Sequence, residues 1–128
     1  MKRSYVLIFS LLTFISCDDV SFAPIVGKWQ LKTVVKNGEI TTVDTVWYNF
    51  QNLSIFSLQI YSPQNDRYAD YVGVRTQEDN TLSIKILDGS FRYSDWNDTT
   101  RSFTIIKLNR RRMILQSEEG YLYTFNKY

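Results

Sequence analysis

The sequence contains no histidine. That removes the commonest general base, the base of a Ser-His-Asp triad and the commonest metal ligand. Cysteine occurs once, at Cys17, so no internal disulfide can form and stability must come from a packed core. No glycine-rich phosphate loop is present. The longest apolar run, residues 5–15, is too short for a spanning helix of about 20 residues and is closed by Asp18 and Asp19. Beyond that run no stretch carries a convincing helical period. Excess charge of one sign is lacking as well. Once Lys2 and Arg3 are set aside with an N-terminal leader, basic and acidic residues are equal in number. Nothing in the bulk charge then draws the chain to nucleic acid. Asp95 and Asp98 share the polar stretch 94–100 and read as solvated turn formers, while Asp44 and Asp70 fall in strands and read as outward-facing. The expectation is a protein that is not an enzyme and uses no metal or cofactor.

What is present divides into a leader, a tether and one domain. Residues 1–16 have the form of a signal peptide: Lys2 and Arg3, then the apolar run, then the small Ser16 before Cys17. Residues 17–24 read as a short tether ending at Pro24. Residues 25–128 are long enough for one modest core.

Within that domain, apolar and polar residues alternate between turn signals. The strand candidates are residues 25–36, 40–50, 53–61, 67–75, 81–87, 90–93, 101–108, 113–117 and 121–127. In the first, Trp29, Leu31, Thr33 and Val35 share a face, with Val34 the exception on the other. Asn37-Gly38 is the strongest hairpin signal, because a type I′ turn needs positive φ at both positions. Asp88-Gly89 is a second such signal, and Gly73 inside a strand marks a bulge or a close backbone approach. This pattern predicts an all-β fold: an antiparallel up-and-down barrel of about eight strands, closed so that no edge is left open. Such a barrel either holds one small ligand or fills with side chains.

Aromatics make up 16% of the chain, which core packing and strand propensity account for, while a sharper reading places some at a pocket mouth. Tyr68, Tyr71 and Trp96 lie in or beside the two least regular loops and are the ligand-binding candidates. Gly27 and Trp29 are read as structural, with Trp29 plugging the closed end of the barrel. Arg110, Arg111 and Arg112 fall in a turn, where they protect an edge or meet an anionic lipid or glycan.

Two resemblances add to this reading. Phe14-Ile15-Ser16-Cys17 resembles a bacterial lipobox, with Phe14 where leucine is usual. The resemblance implies cleavage before Cys17 and acylation of that residue, and several acyl chains hold a protein stably on a membrane. Asp18-Asp19 resembles the surface-export signal of Bacteroidota lipoproteins, and in enteric bacteria an aspartate there resembles an inner-membrane retention signal. Gly27-Lys28-Trp29 resembles the Gly-x-Trp motif of the lipocalins. Together with the lipobox and the strands 103–108, 113–115 and 121–127, it resembles the short lipocalin-like lipoproteins of Bacteroidota. That family implies an exported monomer, anchored by lipid to the cell envelope at the outer membrane. It would bind a small apolar or amphipathic ligand, or else act as a solid module that contacts an envelope protein or inhibits a protease. In lipocalins an arginine packs over the motif tryptophan, and Arg110, Arg111 and Arg112 are the candidates here.

Overall fold

The computed structural model describes residues 25–128; the leader, Cys17 and the tether lie outside the described residues. Nine strands run β1 (Gly27–Lys36), β2 (Glu39–Thr42), β3 (Val46–Phe50), β4 (Ile55–Ser62), β5 (Arg67–Glu78), β6 (Thr81–Ile86), β7 (Thr100–Leu108), β8 (Arg112–Ser117) and β9 (Leu122–Lys127). Every pairing is antiparallel, each strand from β3 onward pairs with the next, and β1 pairs with both β3 and β9. Eight strands thus close an up-and-down barrel, and no helix occurs among the described residues.

The stretch 40–50 reads as one strand but forms two. β2 pairs with the second half of β1 and β3 with the first. Between them the chain departs from the ladder, held by the Val43 N–H on the Lys32 carbonyl (2.8 Å) and the Gln30 Nε2 on the Asp44 carbonyl (3.0 Å). All four β2 residues are exposed, so β2 is a flap on the barrel wall rather than a stave.

Two bulges account for breaks in the alternation. The β1–β9 register shifts between Leu31 and Thr33. One extra residue reverses which side faces inward. Val34 therefore joins Trp29 and Leu31 in the core, and Thr33 and Val35 do not. The β7–β8 register shifts between Ile105 and Lys107, leaving Ile106 exposed and turning Leu108 inward.

Turn chemistry follows the backbone. Asn37 and Gly38 take φ of 52° and 84°, the pair that a type I′ turn needs. Asp88-Gly89 makes no hairpin. The Asp88 carboxylate instead accepts from the Ser90 N–H (2.8 Å) and hydroxyl (2.7 Å), opening an irregular loop over residues 87–99. Residues 90–93 form no strand for the same reason. At Gly73 a Cβ would lie 2.2 Å from the Lys85 carbonyl oxygen, so this glycine marks a close approach of β5 to β6.

The core fills the barrel. Trp29, Tyr48, Phe50, Phe56, Leu58, Leu82, Ile84, Phe103, Met113, Leu115, Tyr123 and Phe125 are buried on the inner face. At mid-height the Tyr48 ring meets Phe125 at 4.7 Å, Phe56 at 5.6 Å and Phe103 at 6.3 Å. These rings come from β3, β9, β4 and β7, so side chains meet across the barrel axis.

Candidate functional site

The barrel has two different ends. At the end where β1 starts, Trp29 is fully buried and its Nε1 donates to the Ile25 carbonyl (2.9 Å). The cation over its ring is Lys127, 4.8 Å from the centroid, and not Arg110, Arg111 or Arg112. Arg110 and Arg111 lie on the β7–β8 turn and Arg112 opens β8, and the Asn109 carboxamide oxygen accepts the N–H groups of Arg111 and Arg112. Gly27 has φ of 139°, and a Cβ there would stand 2.4 Å from Lys127 Cε. That backbone conformation favours glycine, and the missing side chain leaves room for the lysine stem over the tryptophan face. This end is plugged.

The opposite end is covered by the 87–99 loop and carries the polar chemistry of the molecule. Arg101, the second residue of β7, is in the same phase as Phe103 and Ile105, so its side chain is drawn under the loop. Its Nη1 donates to the Asp95 carbonyl (2.7 Å) and carboxylate (2.9 Å), and its Nη2 donates to the Tyr123 hydroxyl. The Tyr123 hydroxyl in turn donates to the other Asp95 oxygen (3.1 Å), which Lys36 also reaches at 2.7 Å. The guanidinium lies against the rings of Tyr123 (5.0 Å) and Phe103 (5.1 Å). A buried charge is tolerated when it is paired and hydrogen-bonded, and Arg101 meets both conditions. Asp95, expected as a solvated turn former, instead fastens the loop to β1, β7 and β9.

Aromatic residues seal the same end. Trp96 is buried, and its Nε1 donates to the Tyr48 hydroxyl (3.2 Å). Phe91 packs edge-on against Trp96 (5.5 Å) and Tyr71 (4.9 Å). Above them lies a cleft of about 450 Å³ that opens to solvent, lined by Phe91, Arg92, Tyr93, Trp96, Asn97 and Asp98, among others.

The electrostatics favour holding over proton transfer. Burial pushes the Tyr48 hydroxyl well above the ordinary tyrosine value. Burial, then the Asp95 charge, pushes Tyr93 up to about 12 and raises Tyr123 as well. These phenols stay neutral at pH 7, far from the range a general base needs. No group of three or more metal-ligating side chains occurs among the described residues.

Of the residues singled out from sequence, Tyr71 and Trp96 come together here through Phe91. Tyr68 does not. It is exposed on the outer wall, packed against Tyr61 (4.9 Å) and Trp47 (6.0 Å). Cys17 lies outside the described residues. Sequence reasoning missed Arg101, Asp95, Tyr123, Lys36 and Tyr48. The signal for Arg101 was present, as a charge at an inward-phase position of a clean strand.

Comparison with known structures places this geometry. A lipocalin-like protein from Bacteroides uniformis superposes with a TM-score of 0.74 at 26% identity, over 81% of this chain and 98% of that one. An uncharacterized protein from Bacteroides eggerthii gives a TM-score of 0.70 at 24% identity, over 82% and 100%, a likeness of fold. No curated protein matches the sequence. The Lipocalin-like domain family matches residues 10–128, nearly the whole chain, and the chain belongs to that family.

Proposed function

We propose that this is an exported lipoprotein, acylated at Cys17 and held at the outer membrane, whose filled barrel works as a monomeric, non-enzymatic interaction module. Its partner is another envelope protein, met by the 87–99 loop. The observation that carries the reading is the Tyr48 cluster, whose rings meet across the axis and occupy the space a calyx ligand would need. The loop is also pre-organised by Asp95, and a rigid loop loses little entropy on binding. The anchor reading is supported by Phe14-Ile15-Ser16-Cys17. The Bacteroides origin of both structural neighbours favours surface export over inner-membrane retention as the reading of Asp18-Asp19.

A photo-crosslinking residue at Asn97 in intact cells is expected to capture an envelope protein, and one at Thr104 on the outer wall is not. A second reading, a small apolar or amphipathic ligand at the open end, is favoured by the 450 Å³ cleft with Phe91 and Trp96 in its wall. Native mass spectrometry separates the two. A bound small molecule that is lost in Trp96→Ala, with no crosslink at Asn97, would replace the first reading by the second. Acylation is checked on its own: Cys17→Ala should take up no labelled palmitate and leave the membrane fraction.

A further inference from the structure

We propose that the plugged end of the barrel is a docking face for anionic lipid headgroups, so that the domain sits upright on the bilayer with its 87–99 loop facing away. The proposal rests on the reading of Cys17 as the lipid anchor. Three independent features of that end carry it.

The first is where the chain enters. Residue 25 lies beside Trp29, and only residues 17–24 separate it from the proposed acyl chains. Fully extended, a segment of that length spans at most about 28 Å. The plugged end is therefore held within about 28 Å of the proposed anchor.

The second is charge. The plugged end carries Arg110 and Arg111 on the β7–β8 turn and Arg112 at the start of β8, with Lys107, Lys127, Lys28 and Arg75 around them. Against these, the acidic residues described at that end are Glu78 and Asp79. The open end carries Glu39, Asp66, Asp70, Asp88, Asp95, Asp98, Glu118 and Glu119, opposed by Lys36, Arg67, Lys85, Arg92 and Arg101. Net charge is close to zero, but it is sorted along the axis, positive towards the tether. A positive face at a negative leaflet is attracted within a Debye length of about 8 Å.

The third is an apolar tip. Leu53 is 90% exposed on the β3–β4 turn with φ of 61°, and Ser54 follows at 68°. Non-glycine residues rarely hold that conformation. Here it is braced: the Arg75 N–H donates to the Ser54 carbonyl (2.9 Å) and its Nη2 to the Gln51 carbonyl (2.7 Å). Ile55, Val26 and Val74, each about 40% exposed, flank the tip. The Leu53 turn and the arginine turn lie on opposite sides of one rim, β3–β4 against β7–β8. Apolar tip and basic turn thus flank the same end of the barrel.

The test uses acylated protein in vesicles of phosphatidylcholine with phosphatidylglycerol. One thiol is added, either Leu53→Cys at the rim or Gln64→Cys at the far end, and a membrane-impermeant maleimide reports access. Leu53→Cys should react about tenfold more slowly than Gln64→Cys, and adding Arg110→Glu with Arg111→Glu should abolish the difference. Equal rates at the two positions overturn the proposal. Palmitate labelling tests the anchor separately. If Cys17 takes no label, the anchor reading falls and the docking face is judged by flotation of the same chain. Recovery with phosphatidylglycerol vesicles and not with phosphatidylcholine alone supports it; equal recovery on the two overturns it.

Discussion

Arg101 decides what the open end is. It is a cation placed where the strand pattern calls for an apolar side chain, and Asp95 and Tyr123 are bound to it. Removing one partner of a buried pair costs more than the pair is worth, and here Asp95 would keep only the partly exposed Lys36 and the Tyr123 hydroxyl. Arg101→Met should therefore lower stability by about 3 kcal/mol, read as a fall in the urea midpoint. Tyr123→Phe removes two hydrogen bonds, one to Arg101 and one to Asp95, and should cost about 2 kcal/mol. The double variant should cost less than the sum, since both act on Asp95. Gly73 gives a second contrast. Gly73→Ala drives a Cβ into the Lys85 carbonyl and should cost about 3 kcal/mol. Gly89→Ala meets open space and should stay within about 0.5 kcal/mol. At this scale the sequence is legible wherever a residue's own geometry makes the demand. Trp29 and Gly73 announce themselves, whereas the cation over Trp29 does not. Lys127 reaches it from the far end of the chain by the β1–β9 pairing, which no local pattern contains.

The staves of the barrel are equally legible, because period-two alternation reflects burial of one face. What alternation misses are the events that depend on a neighbouring strand. The bulges at residues 32 and 106 are register mismatches between paired strands, and each reverses the inward face beyond it. The 87–99 loop is the larger omission. It has no repeating pattern, and its order comes from contacts with Lys36, Tyr48 and Arg101, all distant in sequence or beyond its own ends. Its polar composition reads as solvent-facing, although Trp96 and Asp95 are both turned inward. β2 is the opposite case, a good strand sequence with little behind it. It pairs on one side with the second half of β1, and all four of its residues are exposed. Hydrogen exchange should find Glu39–Thr42 exchanging by local opening, far ahead of β8 and β9, which are paired on both sides. Protection in β2 equal to that in β8 would show that the flap is held by something more than its ladder.

As a whole molecule, the protein concentrates buried phenols around one charge cluster, and this sets its response to alkali. Tyr48, Tyr93 and Tyr123 are neutral in the folded and unfolded chain up to the ordinary tyrosine value near pH 10. Above it the unfolded chain releases these protons while the folded chain keeps them. The unfolded state then binds fewer protons, so stability falls as pH rises. The loss should begin near pH 10 and continue through about 12, where Tyr93 titrates. Denaturant midpoints measured across this range should decline steadily, and tyrosinate absorbance should show a late fraction that appears together with unfolding. Titration of every tyrosine near 10 with no loss of stability would contradict the buried cluster.

The seam between the first and last strands has one more consequence. Trp29 faces Lys127 across it, and the Tyr128 N–H donates to the Lys28 carbonyl at 2.9 Å. The two ends of the barrel domain are therefore neighbours in space, and the order of strands around the ring has no privileged starting point. A short linker from Tyr128 to Ile25, with the chain reopened in the turn at residues 63–66, would give a circular permutant with the same ring of pairings. In such a permutant the seam becomes an ordinary hairpin, and the closure of the barrel passes to β4 and β5.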